Sequence, residues 1–471
     1  MSVKDNNDNN YRKKGKLIEN VPLVDIHSAG KAVGSINNKN IYVSFGIPGE
    51  TVDLRLDRRV RGFYAGNIEH ISKPSPSRVL PFCKHFGTCG GCDWQHIEYD
   101  QQLHLKKQIL LNALQKYKIQ IPVVNDVIPS EQKQYYRNKV EYAFASQDRL
   151  SEPSNYENIL GFHPLDGRKQ VIEIQECWLQ RQPSRIICEA IHKIAFKHSL
   201  SFYHYFNKTG FLRSLIIRTS SADEVLIIIG FCYDDPEKRN ALLTAIQLAV
   251  PEITSLMYTV LTSPEKGYAD GDINLFYGTG YLHEQMGTIR YRISPRTFYQ
   301  PNAMQAYQIY QKILAFASFK RQELVYDLYS GAGTIACFVA AQVEKVIGIE
   351  GSEDAVKDAI YNAESNGLTN AHFIYGDVLQ TFTSEFIAKC GKPHTIILDP
   401  PRSGTLIEIK KTIIQSSPDK IIYLSCNPVS LAFDLTMLTT HYKIVEIQPF
   451  DMFPHTHHLE TLVLMEKNEG A

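Results

Sequence analysis

Asp327-Leu328-Tyr329-Ser330-Gly331-Ala332-Gly333-Thr334 closes the apolar run LVYDLY (324–329) and opens a segment with helical spacing. Its glycines permit a tight turn and let a ligand approach the backbone. The third glycine of G-x-G-x-x-G is missing and no lysine follows as in a P-loop, which disfavours phosphate cradling. Alone, such a turn can merely cap a helix. Outward from it, the strand candidates KVIGIE (345–350), AHFIYGD (371–377), HTIILDP (394–400), KIIYLSC (420–426) and YKIVEIQPF (442–450) alternate with helix candidates at 334–342, 352–366, 405–416 and 428–438. This βαβα rhythm predicts a parallel α/β sheet covered on both faces, with ligands outside the carboxyl ends of its strands.

Candidate chemistry falls at those ends. Glu350 closes the second strand, where a carboxylate can accept from both ribose hydroxyls. Asp377, at the end of the third, can accept from an adenine amino group. Acid-ended strands around a glycine turn suit S-adenosylmethionine better than a dinucleotide. The fourth strand ends in Asp399-Pro400-Pro401-Arg402, whose prolines stiffen the strand end. Amino-group methyltransferases carry an aromatic after a similar triplet, so Arg402 argues for another acceptor atom. Cys426, in Ser425-Cys426-Asn427-Pro428, ends the fifth strand facing a helix start, where a lowered pKa would make it a nucleophile; a free cysteine is otherwise often an inert core residue. In His455-Thr456-His457-His458-Leu459-Glu460-Thr461 the histidines read as a polar loop, since no H-E-x-x-H helix is present. Glu460, opening the strand LVLME, is a candidate base.

Upstream, residues 1–14 form a polar tail ending in Arg12, Lys13 and Lys14. Short β-like runs from 15 to about 74 predict a small closed barrel of the OB kind, with Arg55, Arg58, Arg59 and Arg61 on or beside one strand. KPSPSR (73–78) separates it from Cys83, Cys89 and Cys92. These form C-x5-C-x2-C among Gly87, Gly90 and Gly91, with Cys177 as the fourth ligand candidate. Four thiolates suit tetrahedral zinc or an iron–sulfur cluster, and spacing leaves both open. Residues 93–117 predict a helix with Leu103, Ile109, Leu110, Ala113 and Leu114 on one face and Lys106, Lys107 and Lys116 in solvent. From 131 to about 290, strands and one helix around 184–198 predict an α+β insert.

The 471 residues balance 50 Lys and Arg against 50 Asp and Glu, with 44% hydrophobic residues and 11% aromatics, which excludes a wholly disordered chain. Two to four domains are expected at this length. The charge is unevenly spread: 12 basic against 6 acidic residues over Tyr11–Arg78, but 11 against 19 over Arg321–Ala471. A basic front suggests a polyanionic partner. No apolar run approaches the ~18 residues that span a bilayer, and the N-terminus resembles no signal peptide. The expectation is a soluble cytoplasmic protein without structural disulfides or an obligate protein partner.

Together these motifs resemble an RNA uracil-5 methyltransferase of the ribosomal RNA type over nearly the whole chain. The resemblance implies a multidomain protein: a TRAM barrel at 15–74, an α+β central iron–sulfur domain at 75–92 and 126–290, and a Rossmann-like class I methyltransferase domain at 291–471 joined by the helical segment 93–125. It makes Cys83, Cys89, Cys92 and Cys177 the ligands of a [4Fe-4S] cluster. Tyr136-Arg137-Asn138-Lys139, with Tyr142 and Phe144, is similar to a central-domain motif of the family. Phe298-Tyr299-Gln300-Pro301-Asn302 matches its F-x-Q-x-N segment. Carried over, Gln300, Tyr329, Glu350 and Asp399 bind S-adenosylmethionine or border its methyl group, Cys426 is the nucleophile and Glu460 the base; Asp377 follows from the general fold. Many members carry Cys where this chain has Ser330.

The implied chemistry adds Cys426 at uracil C6, methylates C5, removes the C5 proton through Glu460 and expels the thiolate. Asp399 holds either the uracil edge or the region of the activated methyl. The target uridine must leave its stack, at a cost of a few kcal/mol, offset by backbone contacts and aromatic stacking from the barrel and central domain. Large-subunit (23S) ribosomal RNA is the expected substrate and transfer RNA the second. Competing readings are a cytosine-5 enzyme, disfavoured by Ser-Cys-Asn-Pro; an amino-group enzyme, disfavoured by Arg402 and Cys426; and a non-catalytic RNA-binding or assembly protein that keeps the fold.

Overall fold

In the computed structural model the described residues are 15–56, 64–120, 123–149, 152–165, 167, 170–261, 263 and 267–469. The basic tail and Arg58, Arg59 and Arg61 lie outside them. Strands Leu17–Ile26, Ala32–Ile36, Lys39–Val43, Thr51–Leu56 and Tyr64–Lys73 close into a barrel. Alternation turns Val21, Leu23, Ile41, Val43, Val52 and Leu54 inward. Asn37 and Asn38, at φ +49° and +59°, make the left-handed turn that a tight hairpin requires. Arg55 pairs with Glu69 at 2.6 Å, which offsets its charge.

The central sheet runs Ile273–Gly278, Ser255–Val260, Val225–Phe231, Leu212–Thr219, Lys139–Arg149, Glu152–Phe162 and Ile172–Glu173 in spatial order. Two helices cover it, not one. Besides Ser184–Lys197 there is Pro236–Ala249, capped by Asp235 Oδ1 accepting from Lys238 N–H at 3.1 Å, with Pro236 in its first turn. Tyr142 and Phe144 are buried in the core of this domain, so neither is a stacking platform for a base.

The C-terminal sheet contains β1 (Leu324–Leu328), β2 (Lys345–Glu350), β3 (Ala371–Tyr375), β4 (Thr395–Leu398), β5 (Lys420–Ser425), β6 (Tyr442–Phe450) and β7 (Glu460–Lys467). Their order is β3-β2-β1-β4-β5-β7-β6. β1 to β5 are parallel, but β7 inserts antiparallel to both β5 and β6, so the sheet is mixed where an all-parallel one is expected. The β6–β7 return is a hairpin in space, and it brings Glu460 back to the carboxyl edge beside Ser425, Thr461's partner in register. A helix not foreseen from sequence, Ala303–Ala317, is capped by Asn302 Oδ1 accepting from Gln305 N–H at 3.2 Å.

The helix after the cysteines spans Tyr99–Lys116, starting later than predicted. Its Leu110, Ala113 and Leu114 enter the same core as Tyr326, Leu398 and Leu431 of the C-terminal domain. Lys106, expected in solvent, is fully buried and pairs with Asp451 at 2.5 Å. Helical periodicity ranks Lys106 by its polarity; the partner carboxylate that changes its place is remote in sequence.

Candidate active site

The Asp327–Thr334 turn does what its glycines allow. Gly331 (φ +55°) and Gly333 (φ +71°) are left-handed, and a Cβ at Gly331 would meet open space. Tyr329 itself holds φ +67°, a conformation costing about 1 kcal/mol or more for a non-glycine residue. The turn floors a cleft lined by Phe298, Tyr299, Gln300, Tyr310, Tyr329 and Asp399, among others. Glu350 braces the turn: its Oε2 accepts from Gly331 N–H at 2.9 Å and its Oε1 from Ser352 N–H at 2.7 Å. Asp377 is not in the cleft lining. It lies two residues beyond β3 and caps the short helix Val378–Thr381, accepting from Leu379 N–H at 2.9 Å.

Sequence reasoning gave no role to Asp327, whose signal is an acid inside an apolar run. Its Oδ2 accepts from Ala336 N–H at 3.1 Å, while Oδ1 is buried without a partner among the described residues. Tyr299 Oη and Ser330 Oγ, in the same lining, are likewise unpartnered. Buried polar atoms are normally satisfied, so three such atoms around one cleft fit a polar ligand carrying hydroxyl and ammonium groups. Burial, then the charges of Asp399 and Glu350, push the Asp327 carboxyl well above its ordinary range.

Cys426, Asp399 and Glu460 meet at the edge of the sheet. Asn427 caps the helix Pro428–Leu438, its Oδ1 accepting from Val429 N–H at 3.1 Å. Its Nδ2 also donates to the Arg402 carbonyl at 2.9 Å, which ties the Asp-Pro-Pro-Arg segment to the strand end bearing Cys426. The expected lowering of the thiol pKa does not occur. Burial, then the charges of Glu460 and Asp399, push Cys426 up to about 11, and the Arg402 guanidinium only partly opposes them. A helix terminus is worth at most about 2 kcal/mol to an ion, less than desolvation beside two carboxylates takes away. Burial lifts Asp399 to about 7, and burial with the Asp399 charge holds Glu460 well above the usual carboxylate range.

The loop before Glu460 is clamped rather than freely solvated. His455 N–H donates to Gln102 Oε1 at 2.9 Å, and its carbonyl accepts from Trp94 N–H at 3.0 Å. His457 Nδ1 lies 2.5 Å from Asp93 Oδ2. His455 and His458 are pushed down to about 4, chiefly by burial. No sequence signal connects Asp93 or Gln102 with this loop.

Cys83, Cys89, Cys92 and Cys177 all line one cavity of about 560 Å³, and all are free thiols. Burial raises the Cys177 thiol to about 11 and raises Cys89 and Cys92 too, with the neighbouring cysteines adding to each shift. Ionising such a set requires a compensating cation. Among the described residues, no group of three or more His, Cys, Asp or Glu side chains gathers closely enough to hold one metal ion. No described helix is long and apolar enough to cross a membrane.

Residues 276–468 match the family model for tRNA (Uracil-5-)-methyltransferase. An uncharacterized RNA methyltransferase of Bacteroides thetaiotaomicron is 39% identical over 449 residues, covering 93% of this chain and 99% of that protein. Another, from Porphyromonas gingivalis, is 38% identical over 95% of this chain and 99% of its own. Among solved structures, the Pyrococcus abyssi tRNA (uracil-54, C5)-methyltransferase in complex with S-adenosyl-L-homocysteine superposes with a TM-score of 0.75 at 26% identity, covering 94% of this chain and 99% of that one.

Proposed function

The chain belongs to the family of S-adenosylmethionine-dependent RNA uracil-5 methyltransferases, and from that premise we propose that it methylates C5 of a uridine through a thiol adduct of Cys426. The observation that carries the reading is that Asp399, Cys426 and Glu460 stand at the neighbouring ends of β4, β5 and β7, with Asp399 also lining the cleft floored by the Asp327–Thr334 turn. S-adenosylmethionine, when bound, supplies an electrophilic methyl group. Gln300, Tyr329 and Asp399 would border it from the cleft, with Glu350 bracing the turn toward the ribose and Asp377 toward the adenine. The orphaned Asp327 Oδ1 is a further acceptor for its ammonium group.

Uracil C5 is too weak a nucleophile to attack a sulfonium methyl directly. Cys426 thiolate adds at C6, and the electron pair of the C5–C6 bond passes into an enolate over C5, C4 and O4. C5 would then take the methyl group, the S–CH3 bond breaking to leave S-adenosylhomocysteine; Glu460 removes the C5 proton, and re-forming the C5–C6 double bond expels the thiolate. Asp399 holds the uracil edge or the neighbourhood of the methyl. A carboxyl that keeps its proton near neutrality can donate a hydrogen bond to uracil O4, so the first role suits its raised pKa better.

We read the barrel as a TRAM module over 15–74 and the central part, 75–92 with 126–290, as the cluster domain, with 93–125 joining 291–471. The four thiols would hold a [4Fe-4S] cluster that shapes the fold rather than the reaction. Cys83, Cys89, Cys92 and Cys177 are four of the residues lining one cavity, and the similarity of their spacing to the family's ligand set favours the cluster over a single zinc ion. The barrel and cysteines favour large-subunit ribosomal RNA as substrate. Transfer RNA is the second reading, favoured by the name of the Pyrococcus abyssi enzyme, which matches the chain over 94% of its length. Tritium release from transcripts labelled at uridine C5 tests both. Release from 23S transcripts supports the first, release only from transfer RNA selects the second, and silence on both overturns the activity.

A further inference from the structure

The segment 294–301, which carries Tyr299 and Gln300 into the cleft, is held from two sides by opposite chemistry. Ser294 and Thr297 donate to the methyltransferase domain. Asp358, on the helix Glu353–Ser365, accepts from Ser294 N–H at 2.8 Å, Ser294 Oγ at 2.7 Å and Thr297 Oγ1 at 2.6 Å. Its carbonyls go to the central domain. Arg218 Nη1 donates to Ser294 O at 2.8 Å and to Pro295 O at 3.2 Å, and Nη2 donates to Thr297 O at 2.9 Å. Asn138 donates through Nδ2 to Gln300 O and through its backbone N–H to Pro301 O, both at 2.9 Å. The two residues act as a unit: Lys139 is the register partner of Arg218, and Asn138 O accepts from Thr219 N–H.

Arg218 is an expensive way to do this. It is only 5% exposed, and among the described residues it makes no ion pair; carbonyl oxygens take its protons. The Asp358 charge on the other side of the segment offsets part of the cost of burying Arg218 without bonding it, but a buried cation held by carbonyls alone still costs several kcal/mol in desolvation. Stability alone does not account for it, whereas a rigid planar fork that reaches three carbonyls at once does.

We infer that Arg218, with Asn138, is a positioning residue for the Tyr299–Gln300 wall of the cleft, so that the central domain sets the affinity for the methyl donor. The inference rests on reading that cleft as the S-adenosylmethionine site.

Arg218→Lys keeps the charge but loses the fork, and Asn138→Ala removes the Nδ2 bond to Gln300 O while leaving the backbone bond to Pro301 O. Each variant of the full-length protein is compared with wild type by hydrogen–deuterium exchange of the peptide covering 294–301, S-adenosylmethionine binding by calorimetry, transcript binding and thermal unfolding. The expected result is faster exchange in that peptide and about ten-fold weaker donor binding, equivalent to losing one or two net hydrogen bonds, with transcript affinity and melting temperature unchanged. Unchanged exchange overturns the inference. So does faster exchange with unaltered donor affinity, or a fall in donor affinity, transcript affinity and melting temperature together. A wild-type protein that binds no S-adenosylmethionine would sink the reading of the cleft instead, and the exchange comparison would still decide whether Arg218 holds the segment.

Discussion

Lys106 and Asp451 pair at 2.5 Å with neither side chain exposed, although 345 positions separate them. Asp451 Oδ2 also accepts from Tyr99 Oη at 2.8 Å, so one carboxylate ties the start and middle of the helix Tyr99–Lys116 to the end of β6. Lys106→Ala leaves Asp451 buried with its cation gone and should cost about 3–5 kcal/mol. Replacing the pair by Met and Leu together should cost less, because no buried charge is stranded. Urea unfolding measures both; a single variant as stable as wild type would mean the pair contributes nothing to docking of the helix.

The raised proton affinity of Cys426 sets the pH dependence. Both Cys426, at about 11, and Glu460, held well above the carboxylate range, act in their deprotonated forms. Raising pH therefore populates the active forms of both, so kcat/KM, which reports the free enzyme, should climb from pH 6 to pH 7, and above that the loss of the Asp399 proton, at about 7, should flatten the rise. Cys426→Ala should abolish tritium release while S-adenosylmethionine binding persists. Loss of both would make Cys426 structural, and a rate that falls between pH 6 and pH 7 would contradict this electrostatic account.

The α/β domain was legible because its signals are local. Apolar strands, a glycine turn and acids at strand ends all lie within a few residues of one another, and DLYSGAGT, DPPR and SCNP emerge on one edge as the rhythm requires. Local reading failed where a residue's state depends on a distant partner. Lys106 reads as solvated until Asp451 arrives, and the histidines read as a polar loop until Asp93 and Gln102 clamp them. The thiol of Cys426 reads as acidic beside a helix start until β7 returns Glu460 to its side. Tyr142 and Phe144 sit in the segment that resembles a central-domain motif of the family, and both are buried in the core beside the sheet. The helix Pro236–Ala249 carried readable signals, an Asp cap and a proline, that apolar periodicity alone overlooks.

Asp399 should trade stability for function. Its carboxyl is lifted to about 7 in the folded protein, above its unfolded value. Below about pH 4 both states hold the proton and there is no penalty. Between pH 4 and 7 the unfolded chain ionises while the folded one does not, so stability falls with rising pH. Above 7 the loss is constant, on the order of 2–4 kcal/mol after allowing for partial exposure. Asp399→Asn removes this, so its gain in melting temperature over wild type should grow from pH 4 to 7 and then level off, while methylation should fall without vanishing because the amide still donates to uracil O4. A gain independent of pH would disprove the assignment.

The cysteine cavity makes a prediction that needs no substrate. Anaerobically purified protein should be brown and contain iron, and Cys89→Ser should lose most of both and unfold at lower temperature, because the remaining buried thiols lose the charge that stabilises their ionised forms. A colourless protein carrying zinc would refute the cluster and leave the four cysteines as a structural zinc site.

Glu460 offers the sharpest test of the order of steps. If it removes the C5 proton after methyl transfer, Glu460→Gln blocks elimination but neither addition nor methylation. Glutamine preserves the size and one acceptor of a side chain that is only 3% exposed, so the fold should hold. It also removes one of the two charges that raise the Cys426 thiol, so the variant should form its thiolate more readily than wild type. A methylated RNA–protein adduct should therefore accumulate in the variant and survive denaturing electrophoresis, while turnover drops by about 10²–10⁴. Double replacement with Cys426→Ala should abolish the adduct. Normal turnover in Glu460→Gln would assign the proton transfer to another residue, and an adduct lacking the methyl group would place the action of Glu460 before methyl transfer.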